Sequence, residues 1–309
     1  MNNQEPSLGI IIVNYNSGIL LNKCVTSIFE NTSLNKINLT VVVVDNASKD
    51  DSTNINPHPN LIIIHNNVNL GFGKACNQGV EILGEMDYIL FLNPDTMIHP
   101  KVLEKSIHFL KNSNDVSILG VKHEDEYQII KASCSREPTT RRIISDIFGL
   151  SKLMPKVFKP ATVMSDFDHK TSRFVDQVMG AYMLMGKNVV DEISGFDERF
   201  FVYYEDADFA LRARKKGYRS YYNSELKITH IGRGTTEKIS DKSLFFNLRS
   251  RYQFILKHEG RINATIVLCL TLTIEFVMRL IYNVLKNPKE NINTIKAYNL
   301  LYRNVLKIT

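Results

Sequence analysis

Five acidic side chains stand at three stations of this chain: Asp45 closes the run VVVVD, Asp95 follows YILFLNP, and Glu205, Asp206 and Asp208 crowd into VYYEDADF. The first two stations end apolar, strand-like runs, so their carboxylates emerge at the carboxyl edge of a sheet, where open α/β folds bind ligands. The third opens a helix behind Phe200, Phe201, Tyr203 and Tyr204. Separated carboxylates on one crevice suit metal-assisted chemistry on a nucleotide-linked substrate, because a hard divalent cation needs only one or two carboxylates when phosphates complete its shell.

Each station also has a plainer reading. Asp45 can accept a hydrogen bond from the imide N–H of uracil or thymine; equally, DNASKD reads as an Asx turn with Ser48 capping a short helix. Asp95 follows Pro94, which fixes a turn and aims the carboxylate outward, either at a metal-diphosphate or simply at solvent. Acids at a helix amino terminus gain roughly 0.3–1 kcal/mol, which accounts for one acid in EDAD but not three. A carboxylate made more basic by an apolar pocket is a general base; Asp206 takes that role, with Glu205 and Asp208 as supporting or acceptor-binding groups. His230 ends the strand-like LKIT and is placed to complete a metal site, although a lone histidine is more often packed or exposed. Arg233, in the glycine-flanked loop IGRGTT, either holds a diphosphate or is solvated. The segment GFGKAC is a weak dinucleotide fingerprint, with Cys76 in place of the third glycine.

The elements that must carry these residues alternate. LGIIIVNYN, LTVVVVD, LIIIHN, YILFLNPD and VSILGVK read as strands; residues 17–32, GKACNQGVEILG and KVLEKSIHFLKN read as helices. Continuous rather than alternating apolar runs mean strands covered on both faces, as in a mostly parallel sheet. The fold class is α/β, with one domain over residues 1–242. Within it, 124–173 reads as an irregular insertion holding a short strand at YQIIKAS, in contact with an acceptor or a membrane or simply at the surface. Residues 174–230 then read as strand, short helix, aromatic loop, helix and strand, the second helix stopped by Gly217.

Residues 243–309 form a helical segment. The stretch 262–286 is strongly apolar but carries Glu275 and Arg279 on one stripe with Thr271 and Asn283. In a spanning helix those charges would cost about 2.5–3.5 kcal/mol each, so a helix lying in the membrane interface fits better; the alternative is docking on the protein's own core or in a homodimer. Charge is split: residues 1–208 hold 19 Lys+Arg against 26 Asp+Glu, and residues 209–309 hold 19 against 6. The basic half therefore meets nucleic acid, lipid headgroups or a phosphorylated substrate, or is a solvated face. Four scattered cysteines without a C-x-x-C pair argue against a zinc site or a disulfide framework. The start, MNNQEPS, lacks the pattern of a secretory signal, and the cysteines, read as reduced, lead to the expectation of a cytoplasmic protein.

Together, IIIVNYNS, VVVVDNAS, NLGFGKACNQG, FLNPDT, GFDERFFVYYEDADFALRARKKGY and THIGRGTT resemble the inverting family 2 glycosyltransferases of GT-A fold, and within them the bacterial rhamnosyltransferase-like group, over about residues 8–260. The resemblance implies that Asn14 and Tyr15 line the nucleotide pocket, that Asp45 reads the pyrimidine, and that Asn69, Gly71, Phe72, Asn77, Asn93 and Arg233 contact the nucleotide-sugar. Asp95 matches the second acid of the family's D-x-D motif and is implied to bind Mg²⁺ or Mn²⁺. Asn93 stands where the first acid would be, which moves weight onto Asp95, the diphosphate and His230. Asp206 matches the catalytic base. The implied donor is dTDP-L-rhamnose, with UDP-galactose, UDP-N-acetylglucosamine or another UDP-sugar as alternative, since thymine and uracil offer Asp45 the same edge. The implied acceptor is a lipid-linked or growing surface glycan such as O-antigen or capsule, met by peripheral contact at the inner face of the bacterial plasma membrane, with no role for nucleic acid. A sugar nucleotidyltransferase would open on a glycine- and arginine-rich phosphate loop, whereas this chain opens on IIIVNYNSG.

Overall fold

Unbroken runs of Val, Ile and Leu need apolar partners on both faces, and the fold supplies them. The computed structural model describes residues 5–232 and 240–308. The chain begins with β1 (Ser7–Asn14), α1 (Ile19–Asn31), β2 (Asn38–Asp45), β3 (Leu61–His65), α2 (Phe72–Leu83), β4 (Tyr88–Leu92), β5 (Thr96–Ile98) and α3 (Val102–Asn112). There follow β6 (Ile118–Glu124), β7 (Ile130–Lys131), β8 (Cys134–Ser135), α4 (Thr140–Ile147) and α5 (Leu150–Leu153). Next come β9 (Arg173–Val175), β10 (Gln177–Val178), β11 (Tyr182–Gly186), α6 (Lys187–Glu192), α7 (Glu205–Lys215) and β12 (Ser220–His230). The helical end comprises α8 (Ser240–Leu270), a π-helical turn at Thr271–Glu275, α9 (Phe276–Lys286) and α10 (Glu290–Ile308).

The main sheet has the order β3-β2-β1-β4-β11-β6-β12-β5. Strands β1 to β4 pair in parallel, and β12 runs parallel to β6. Strand β11 lies antiparallel between β4 and β6. The carboxyl ends of β1, β2, β3, β4, β6 and β12 therefore share one edge of the sheet. Alternate residues of each strand feed opposite cores. Ile10, Ile12, Val41 and Val43 pack with Leu21 and Ile28 of α1 and Leu103 of α3; Ile11, Val42, Val44 and Phe91 pack with Ala75 of α2 and Phe209 of α7. Full burial of each such Val, Ile or Leu contributes about 1.5–3 kcal/mol.

The section 124–173 holds more regular structure than its sequence suggests. The strand read in YQIIKAS shrinks to Ile130–Lys131, and β8 pairs with β10 in a separate small sheet. Helix α4 buries Ile143 and Ile147 against α7 and α8 residues including Leu211 and Phe254. Two turns of helix are too short to produce a readable period.

Helix α8 is interrupted at Gly260 (φ 88°, ψ 175°), a conformation that only glycine adopts without strain. Arg251 nevertheless reaches Glu275, with Nη2 2.5 Å from Oε2. A straight helix would hold two residues 24 apart about 36 Å from each other, so the chain folds back at Gly260. The stretch Lys242–Lys286 is long and apolar enough to cross a membrane by length and composition alone. Its polar stripe turns inward: Thr271 and Glu275 are buried, and Arg279 donates to Glu275 over 2.8 Å.

Candidate active site

At the β1–β2 end of the shared edge, Asn14 and Asp45 are register partners and both buried. Asn14 Nδ2 stands 2.8 Å from Asp45 Oδ1 and 2.8 Å from Ser52 Oγ. Asp45 Oδ2 accepts from the Ser48 backbone N–H over 3.3 Å and lies 3.6 Å from His65 Nδ1. The Asx-turn contact thus coexists with a carboxylate at the strand end: one oxygen is engaged by Asn14, and the other retains acceptor capacity. Asn14 acts through Asp45 and the following loop, organising both from below. Tyr15 follows it directly at the strand terminus.

Next along the edge, β4 ends and Asn93 turns the chain by accepting hydrogen bonds at its carbonyl from Thr96 Oγ1 (2.7 Å) and the Thr96 N–H (3.3 Å). That turn leaves Asp95 nearly buried, its carbonyl accepting from the Ile231 N–H over 3.0 Å. Asp95 Oδ1 lies 3.2 Å from His230 Nε2 at the end of β12. Neighbouring ligands of an octahedral cation, each about 2.1 Å from it, stand about 3.0 Å apart, so this spacing fits two adjacent coordination positions as well as a hydrogen bond. His123 of β6 meets the His230 ring edge-on at 5.1 Å between centroids, and burial holds it well below the usual histidine range, as a neutral ring. Among the described residues no group of three or more His, Cys, Asp or Glu could hold a metal ion unaided; substrate phosphates would have to complete the shell.

The third station is built by a strained entry into α7. Tyr203 and Tyr204 are consecutive left-handed residues (φ 68° and 67°), each costing on the order of 1–3 kcal/mol. The surroundings hold them there: Phe201 stacks on Phe246 at 4.5 Å, Ser250 Oγ donates to the Val202 carbonyl over 2.8 Å, and Tyr204 packs against Phe254. All three supports come from α8. The strain turns Glu205 into the protein and leaves Asp206 partly exposed. Burial pushes the Asp206 carboxyl above the ordinary carboxylate range, against hydrogen bonds from the Ala207 and Gly180 backbone and the Gln177 side chain. Glu205, buried with Oε2 unpartnered, is raised further, by burial and then by Asp206. The two carboxyls are neighbours and both are raised by burial, so they titrate as a coupled pair.

Asp208 faces the other way. It is fully buried and accepts from Arg212 Nε and His258 Nε2, each over 2.7 Å, and from Lys257 Nζ. Burial raises its pKa, but the His258 and Lys257 hydrogen bonds and the Arg212 charge outweigh that and hold it far below the usual range. Its partners tie α7 to α8, and none of its surface faces a crevice.

The 69–77 segment lies beside this entry loop. Asn69 Oδ1 accepts from the Gly71 N–H over 2.9 Å. The Phe72 N–H donates to the Phe201 carbonyl over 2.8 Å, and a Cβ on Gly71 (φ 88°) would stand 2.3 Å from that same oxygen. Asn77 brackets the Phe196 backbone, donating to its carbonyl and accepting from its N–H, both at 2.9 Å; it serves the loop that leads to α7. Sequence reasoning missed Gln177, Gly180, Lys257 and His258. The first two lie in an apolar stretch with no motif, and the last two sit some 50 residues beyond their partner. Arg233 lies outside the described residues.

Comparison with known proteins agrees with this layout. The family model "Glycosyl transferase family 2" matches residues 9–157, and "Glycosyl transferase family group 2" matches residues 88–286. An N-acetylglucosaminyl-diphospho-decaprenol L-rhamnosyltransferase of Mycobacterium tuberculosis is 25% identical over 271 residues, covering 82% of this chain and 85% of its own. Rhamnosyltransferase WbbL of Escherichia coli is 26% identical over 196 residues, covering 60% of this chain and 70% of its own. Among solved structures, mannosyltransferase PcManGT from Pyrobaculum calidifontis, in complex with GDP-Man and Mn²⁺, superposes with a TM-score of 0.56 at 16% identity, over 99% of this chain and 88% of its own. Family matches across both halves of the chain, and the mixed sheet with its acids at one edge, lead to one assignment: the chain belongs to the family 2 glycosyltransferases, is rhamnosyltransferase-like and has the GT-A fold.

Proposed function

We propose that the protein transfers a sugar, L-rhamnose from dTDP-L-rhamnose, onto a hydroxyl of a lipid-linked or growing surface glycan, with inversion at the anomeric carbon. The observation that carries this reading is Asp206: a carboxylate made more basic by burial, presented by a strained loop beside the edge that also holds Asp45 and Asp95. Rhamnosyl transfer is supported by the relatives from Mycobacterium tuberculosis and Escherichia coli, both named as rhamnosyltransferases.

In this mechanism Asp45 accepts from the imide N–H of the base, oriented by Asn14. Asp206 takes the proton of the acceptor hydroxyl as the oxygen attacks the anomeric carbon from the face opposite the leaving group. The new C–O bond forms as the old one breaks, and the electron pair leaves with the nucleoside diphosphate. Burial and the neighbouring Asp206 raise the Glu205 carboxyl, which disfavours a second negative charge beside the base. Asp95 and His230 would hold Mg²⁺ or Mn²⁺, which supplies charge neutralisation at the departing diphosphate; the Mn²⁺ in PcManGT supports divalent metal use. The enzyme works at the inner face of the plasma membrane.

A donor screen tests the reading. Release of dTDP from dTDP-L-rhamnose, with EDTA abolishing it, supports the proposal; release only of UDP from UDP-sugars would move the assignment to a UDP-sugar transferase of the same fold.

A further inference from the structure

Helix α9 buries none of its side chains fully and leaves large apolar residues facing outward. A helix on a water-soluble surface turns apolar residues inward and polar ones outward. Here Glu275, in the π turn, is buried and accepts from Arg251, half-exposed Arg279 reaches back to the same carboxylate, and Asn283 Nδ2 donates to Thr294 Oγ1 over 3.0 Å. Outward stand Met278, Ile281, Tyr282 and Leu285, the last 80% exposed. Each large aliphatic side chain left in water forgoes about 1.5–3 kcal/mol of burial.

A second apolar group, from the 124–173 section, lies against the same surface. Phe148, Leu153, Met154 and Val157 are exposed around α5, and the Lys152 ammonium sits 5.0 Å from the centre of the Tyr282 ring. Lys286 approaches that ring to 5.2 Å. Two chain sections some 130 residues apart thus present one face: exposed aliphatic side chains, a tyrosine between two ammonium groups, and further exposed lysines at Lys156 and Lys289.

We propose that α9 and the 148–157 segment form one composite surface that docks on an anionic lipid bilayer, with the aliphatic side chains entering the headgroup boundary and the lysines meeting lipid phosphates. Tyrosine and lysine with apolar stems suit that boundary, where one end of the side chain is apolar and the other wet, and each surface lysine adds electrostatic attraction to anionic lipid. A second copy of the chain fits less well, because a two-fold interface would bring the same lysines face to face. This deepens the membrane contact of the proposed function by assigning it to residues in two separate parts of the chain.

Flotation of the full-length protein with vesicles of phosphatidylcholine, with and without phosphatidylglycerol, tests it. The wild type should partition to the anionic vesicles at least tenfold more than to the neutral ones. The pair Leu153→Glu with Val157→Glu, and separately Ile281→Glu with Leu285→Glu, should each lower that partition about tenfold. Anionic-vesicle binding unaffected by the Leu153/Val157 pair would overturn the composite surface, as would a light-scattering dimer that the same substitutions dissociate. Release of nucleoside diphosphate in the absence of vesicles should be unchanged in both variants. Absence of release in the wild type, with vesicle binding intact, would strike the glycosyltransferase reading and leave the docking surface standing.

Discussion

Asp208 on α7 and His258 on α8 meet across 2.7 Å in the interior, so the helical end of the chain is bonded directly to the helix that presents Asp206, the proposed base. Lys257 extends the link, reaching both Asp208 and Asp197. Asp208→Asn would remove the buried carboxylate that Arg212 and Lys257 share, a loss of about 3–5 kcal/mol. Thermal unfolding at neutral pH should show it as a lowered Tm. The sign with pH follows from the depressed pKa: the stabilisation is fully present above the ordinary carboxylate pKa of about 3.9 and is lost as pH falls below it toward the folded value. The Tm gap between wild type and variant should therefore be widest at neutral pH and narrow below about pH 4.

Glu205 and Asp206 should separate in their pH behaviour. Asp206 must be ionised to accept a proton, and burial raises its pKa, so kcat/KM should rise with pH through a midpoint above the usual carboxylate value. Glu205→Gln fixes a neutral side chain where burial already disfavours the charged one, so the variant should retain most of its activity and keep the acid limb in place. A large downward move of that limb in Glu205→Gln would show Glu205 ionised in the working enzyme.

The metal-diphosphate end makes a distinct prediction. Removal of divalent metal with EDTA should abolish turnover, and Mg²⁺ or Mn²⁺ should restore it. His230→Ala should raise the metal concentration needed for half-maximal activity by roughly 10–100-fold, the usual cost of weakening a metal site, with little change in Tm. An unchanged metal requirement would leave Asp95 and the substrate phosphates as sufficient ligands.

Gly71 touches the entry loop so closely that a methyl group cannot be added without displacing Phe201. Gly71→Ala should lower stability by about 2 kcal/mol or more, from the positive φ and the clash together. Its donor turnover should fall even at temperatures where the variant is fully folded, because the displaced residue leads into Tyr203 and Tyr204. Calorimetry together with initial rates separates the two effects.

The strands were legible because β1, β2 and β4 carry unbroken apolar runs (residues 10–13, 41–44 and 89–92), which a sheet covered on both faces explains. Asp208 was legible as an acid in the first turn of a helix. What Asp208 does was not, because its other partners arrive from α8, and sequence spacing carries no information about a contact between distant helices. The charges in 262–286 were legible as a cost to a simple span, but their partner Arg251 depends on the fold-back at Gly260. The two-residue strand and short helices of the 124–173 section fall below the length at which periodicity speaks.

The central claim is that Asp206 removes the proton from the acceptor. Sugar transfer by Asp206→Asn, compared with wild type at matched Tm and saturating donor, measures it most directly. Loss of a positioned general base should lower kcat by about 10²–10⁴-fold while donor binding, read by calorimetry, stays within a few-fold of wild type. Transfer at the wild-type rate by a folded Asp206→Asn protein would contradict the account.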